Sequence, residues 1–187
     1  MPVRQGNAIL VRIDVDDFAN QLGYSAMNLS RAKHELEAAG LCQTDRKGRS
    51  VVLVFQQKGR ELWQKALPLL SSPVKKSHWI DWPRVCYPAI PAGLTALSQR
   101  TMIDDDRIPT YALPQETYKL NLEKGLFHRC PEPWEANVQL EAWSYNPLLL
   151  GNVRGVDPLS PFLSLRDSSD ERIQQQLEIL IQEVKWV

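Results

Sequence analysis

Between Ser25 and Phe55 the spacing of apolar side chains changes from helical to alternating, and Gly40 marks the change. Leu29, Ala32, Leu36 and Ala39 recur at intervals of three, four and three residues, which puts them on one face of a helix. Ser25 stands where an N-capping hydroxyl is favoured, and Gly40 stands at the C′ position. Beyond Gly40, LCQT and SVVLVF read as strands. Val51, Leu53 and Phe55 fall on one face of the second strand, and Val52 and Val54 on the other. Residues 45–49, with Gly48 near the bend, form the tip of a hairpin.

Upstream, AILVRI is a short β-prone run, and DVDDFANQLG reads as another helix. Asp14 is its expected cap, and Asp16 and Asp17 sit in the first turn, where the helix dipole favours acids. Val15, Phe18, Ala19 and Leu22 have helical spacing, and Gly23 ends the run. Gly23, Tyr24 and Ser25 leave only a tight connection to the next helix. Helix, tight turn, helix and basic hairpin is the order of a winged helix–turn–helix. GRELWQKAL adds a further helix up to Pro68, with Leu62, Ala66 and Trp63 facing inward.

Residues 71–92 contain four prolines and no sustained period, so they read as a linker, with a boundary near residue 76. Residues 1–76 then form the winged helix–turn–helix domain, and residues 77–187 form a second, α+β domain. In the second domain AGLTALSQRTM reads as a short helix, and RIPTYALP and NVQLEAWSYNP as strands. Val138, Leu140 and Ala142 alternate in the latter. The last helix opens on SSDE, a capping box with Ser168 as cap and Glu171 at N3. Ile173, Leu177, Leu180, Ile181 and Val184 follow as one stripe, which Trp186 extends.

Net charge narrows the choice of partners. Residues 1–76 carry 12 Lys and Arg against 7 Asp and Glu, and the remainder carries 10 against 15, so a net charge of zero divides into +5 and −5. A basic first domain suits a polyanion and an acidic second domain does not. No run of apolar residues is long enough for a membrane span, and the N-terminus has too many charges for a signal peptide. Cys42, Cys86 and Cys130 form no close pair, so neither a zinc site nor a disulfide framework is expected, and a reducing cytoplasm is the simplest setting. His128 and Cys130 lack a second pair to complete a metal site. Asp104, Asp105 and Asp106 read as a solvated loop. No motif of a hydrolase, metalloprotease or nucleotide-binding enzyme occurs, so neither catalysis nor a cofactor is expected.

The expected function lies on the helix that begins after Ser25. Opposite its apolar face it presents Asn28, Arg31, His34 and Glu35. Asn can pair with adenine, and Arg with guanine or phosphate, when a helix enters the major groove. Ser25 and the free N–H groups behind it can hold a backbone phosphate. Arg46, Lys47 and Arg49 on the hairpin would meet further phosphates. The DNA-binding set is therefore Ser25, Asn28, Arg31, His34, Arg46, Lys47 and Arg49. The alternative is an interaction module whose winged helix docks a protein. The tryptophans of the acidic half, Trp134, Trp143 and Trp186, suit a core or a docking surface.

Four stretches, YSAMNLSRAKHELEAAGL, GRELWQKALPLLSSPVKK, AGLTALSQRTMIDDDRIPTYAL and VDPLSPFLSLRDSSDERIQQQLE, resemble bacterial and phage MarR-like winged-helix regulators similar to AbiE-type antitoxins. The resemblance implies an autorepressor that binds double-stranded DNA at its own promoter. It also implies an antitoxin-like second domain, paired with a toxin of nucleotidyltransferase type. Only MPVRQGN precedes AILVRI, too short for the helix that usually comes before the first strand. Either the chain is truncated or another segment fills that groove. Dimerisation through long terminal helices is not expected by the usual route, and homo-oligomerisation by another route stays open.

Overall fold

A computed structural model describes residues 11–15, 25–47, 50–83, 89–152 and 154–186. Among them the architecture is α+β, with six α-helices and two β-sheets. The chain divides into two compact units, one of Met1–Leu70 with Lys185–Val187 and one of Ser71–Val184.

In the first unit, β1 (Val11–Asp14) is followed by α1 (Ala26–Ala38), β2 (Cys42–Lys47), β3 (Ser50–Phe55) and α2 (Gly59–Ala66). The helix expected over residues 14–23 lies, beyond Val15, outside the described residues. The sheet order is β1-β3-β2, antiparallel throughout, with Leu53 opposite both Ile13 and Thr44. β3 is central because it pairs with β1 along one edge and with β2 along the other, while Leu53 and Phe55 on one of its faces are buried. Cys42, Leu53 and Phe55 are buried, and Ile13, Val15, Leu36 and Leu62 pack on them.

α1 ends as its sequence asks. Gly40 adopts φ +64°, Leu41 N–H bonds to Leu36 O at 3.0 Å, and Gly40 N–H bonds to Glu37 O at 2.9 Å. This pair of bonds is a Schellman motif, which turns the chain directly into β2. The Lys65 ammonium on α2 donates to Gly40 O and holds the same corner. Trp63 is the buried residue of α2. Its ring centroid lies 6.2 Å from that of Trp186. Trp186 therefore belongs to the first unit and does not extend the stripe of the last helix.

The second unit contains β4 (Val74–Asp81), β5 (Ile90–Pro91), α3 (Gly93–Ser98), β6 (Thr110–Pro114), α4 (Gln115–Glu123), β7 (His128–Arg129), β8 (Val138–Trp143), α5 (Leu159–Leu165) and α6 (Glu171–Glu183). Its sheet order is β5-β6-β8-β4-β7, and β6 and β8 run parallel. β4 corrects the reading of residues 71–92 as a linker. Pro73 and Pro83 bracket this strand and do not interrupt it, and Ser77 to Ile80 pair with β8 in register. The division between the units accordingly falls after Leu70.

Successive β8 residues enter different clusters. Val138, Leu140 and Ala142 pack with Ile80, Tyr118 and Phe127. Trp143 packs with Ile90, Ala96, Ala112 and Val156. A further cluster joins Leu97 to Leu177 and Leu180 of α6. The cap of α6 is Asp170, which accepts from Arg172 N at 2.9 Å, and not Ser168. Asp170 also pairs with the Arg172 guanidinium at 2.7 Å, a charged partnership the Ser168 hydroxyl cannot offer. Ser168 Oγ instead accepts from Asp170 N. Among the described residues no helix is long and apolar enough to cross a membrane.

Candidate nucleic-acid interface

α1 sits with one face sealed and the other open. Leu29 is 6% exposed, and Leu36 packs into the cluster around Leu53 and Phe55. Burying a leucine contributes about 1.5–3 kcal/mol, enough to fix the rotation of a short helix about its axis. With that rotation fixed, Met27, Asn28, Arg31, His34 and Glu35 are positioned away from the sealed face, and all five are exposed. A step of roughly 100° per residue places Arg31 between Met27 and Asn28, with His34 and Glu35 one turn further on.

Ser25 is the N-cap of α1. Its Oγ accepts from Asn28 N at 3.3 Å, which pins the backbone beneath the Asn28 side chain. The hydroxyl is thus occupied as an acceptor and keeps its proton for an outside oxygen. The exposed His34 has Nδ1 3.8 Å from Glu37 Oε2. The Thr44 hydroxyl on β2 donates to Glu37 Oε1. That hydrogen bond holds the Glu37 carboxyl below its ordinary range against the opposing loss of water, with lesser help from the neighbouring Lys33 and His34. Glu37 and Thr44 therefore join the helix to the hairpin, a link that the spacing of apolar residues does not reveal.

Arg46 is exposed on β2 and lies opposite Val51. It follows Thr44 by two residues, so the two share the face of β2 turned toward Glu37. Lys47 pairs with Ser50 at the end of the hairpin. The side chain of Lys47, and Arg49 as a whole, lie outside the described residues. The structure therefore brings Ser25, Asn28, Arg31 and His34 together on one helix, with Arg46 on the adjoining strand.

The second unit holds two other polar features. An open cleft of about 510 Å³ has Leu94, Ile103 and Ile173 in its lining together with Asp104, Asp105, Asp106, Asp170 and Arg172. Asp105 Oδ1 accepts from the Thr95 hydroxyl at 2.9 Å, so the acidic loop is anchored at its middle residue. The other feature is Glu141 on β8, which is 7% exposed. Its Oε2 accepts from Trp143 Nε1 at 2.8 Å. Burial pushes the carboxyl up to about 7, and the indole N–H pulls the other way. Among the described residues no group of three or more His, Cys, Asp or Glu could hold a metal ion.

Compared with known protein families, curated proteins and solved structures, the chain gives no match.

Proposed function

We propose that the chain is a sequence-specific DNA-binding transcriptional regulator whose first unit is a winged helix–turn–helix. The observation that carries this reading is α1. Its rotation is fixed by Leu29 and Leu36, and it presents Asn28 and Arg31 to solvent from its N-terminal half. That half is the part of a recognition helix that reaches base edges. The sheet order β1-β3-β2, with α1 between the first two strands in sequence, matches the wing arrangement, and Arg46 supplies a cation on the hairpin. Asn28 and Arg31 read bases, Ser25 and Arg46 meet phosphates, and Lys47 and Arg49 extend the phosphate contacts along the hairpin.

The same reading makes the chain an autorepressing antitoxin, with the second unit set against a nucleotidyltransferase-type toxin. This part rests on the sequence resemblance alone.

Selection from a pool of random duplexes tests the DNA-binding reading. Enrichment of one short sequence, lost with Arg31→Ala, is the expected result. Recovery of no sequence above the input pool contradicts it.

A further inference from the structure

Met27 is a large apolar side chain, 66% exposed, in the first turn of α1. At roughly 100° per residue it lies opposite Leu36, so no rotamer turns it into the core beneath the helix. Single exposed apolar residues are common on protein surfaces and by themselves mean little. The position of this one is what matters. Arg31 lies about 40° round the helix from it, one turn on, and Asn28 follows it in sequence. The open N-terminal half of α1 therefore offers three chemistries side by side: a thioether, an amide and a guanidinium.

The major groove offers one apolar group among its donors and acceptors, the C5 methyl of thymine. Polar side chains gain nothing from that methyl, whereas an unbranched thioether adapts its shape to it. We infer that Met27 reads a thymine methyl next to the base pair contacted by Arg31. The inference rests on the DNA-binding reading above and adds an apolar determinant to it.

The test uses the duplex enriched by the full-length protein. Each thymine is replaced in turn by deoxyuridine, which removes only the methyl group. At one position wild-type affinity falls about fourfold, the order expected for one methyl group taken out of an apolar contact. Met27→Ala binds more weakly and no longer responds at that position, while Met27→Leu still does. Thermal unfolding of both variants matches the wild type, since the side chain is exposed. A scan in which no thymine matters, or in which Met27→Ala responds as the wild type does, overturns the inference and leaves specific binding standing. Failure to enrich any duplex overturns both.

Discussion

Trp143 donates its indole N–H to Glu141 across 2.8 Å, and both residues are buried on β8, the middle strand of the five-stranded sheet. The bond supplies one partner for a carboxylate that its buried surroundings would otherwise exclude. It does not fully offset the loss of water, because the Glu141 carboxyl still sits near 7 and not at its ordinary 4.5.

The folded state therefore binds a proton that the unfolded chain releases at lower pH. Glu141 contributes stability that is fully present below about pH 4.5 and is lost as pH rises through about 7. The predicted loss across that interval amounts to about 3 kcal/mol, taking 1.36 kcal/mol per pKa unit. Glu141→Gln keeps an acceptor for Trp143 and removes the titration. Urea unfolding at pH 5 and pH 8 checks this: the variant gains on the wild type at pH 8. Parallel pH profiles would contradict the assignment.

Gly93 stands beside the same carboxylate. It has φ +47°, and a Cβ there would lie 3.0 Å from Thr110 Cγ2 and 3.1 Å from Glu141 Oε1. Gly93→Ala should cost about 1–3 kcal/mol, from backbone strain and crowding together. Gly125 has φ +65°, and a Cβ there would meet nothing within 4 Å, so Gly125→Ala carries the backbone penalty alone. The expected result is a larger drop in denaturation midpoint for Gly93→Ala than for Gly125→Ala.

Ser25→Ala removes the side-chain acceptor for Asn28 N at the start of α1. A loss of about 0.5–2 kcal/mol is expected, read as a lower unfolding midpoint of the first unit. The same change loosens the backbone that carries Asn28 and weakens DNA binding. Full affinity in a destabilised Ser25→Ala protein would show that the helix start is not part of the interface.

Much of this arrangement is legible in the sequence where one period holds over a whole element. Leu29 and Leu36 give the buried face of α1, and the open Asn28 and Arg31 follow from it. Val138, Leu140 and Ala142 likewise give one face of β8. Glu141 is hidden because alternation assigns the opposite face to solvent, whereas both faces of this strand are covered. β4 is hidden by its flanking prolines and by Lys75, Lys76 and Ser77, whose exposure leaves little apolar pattern to read. The cap of α6 is ambiguous because Ser168 and Asp170 are both good cappers, and only the neighbouring Arg172 decides between them. The link from Glu37 to Thr44 joins two elements, so no local spacing announces it. Met27 gives no signal of its own, because an apolar residue on an open face carries no polar signature.

The most direct measurement is a fluorescence anisotropy titration of the full chain on its enriched duplex and on a scrambled duplex, at several salt concentrations, beside Arg31→Ala. The account predicts binding to the enriched duplex at least ~10³ tighter than to the scrambled one. It also predicts that Arg31→Ala loses about 1–3 kcal/mol on the enriched duplex while its unfolding midpoint is unchanged. Equal, steeply salt-dependent affinity for both duplexes, insensitive to Arg31, would reduce the interface to a basic surface and contradict the claim that α1 reads sequence.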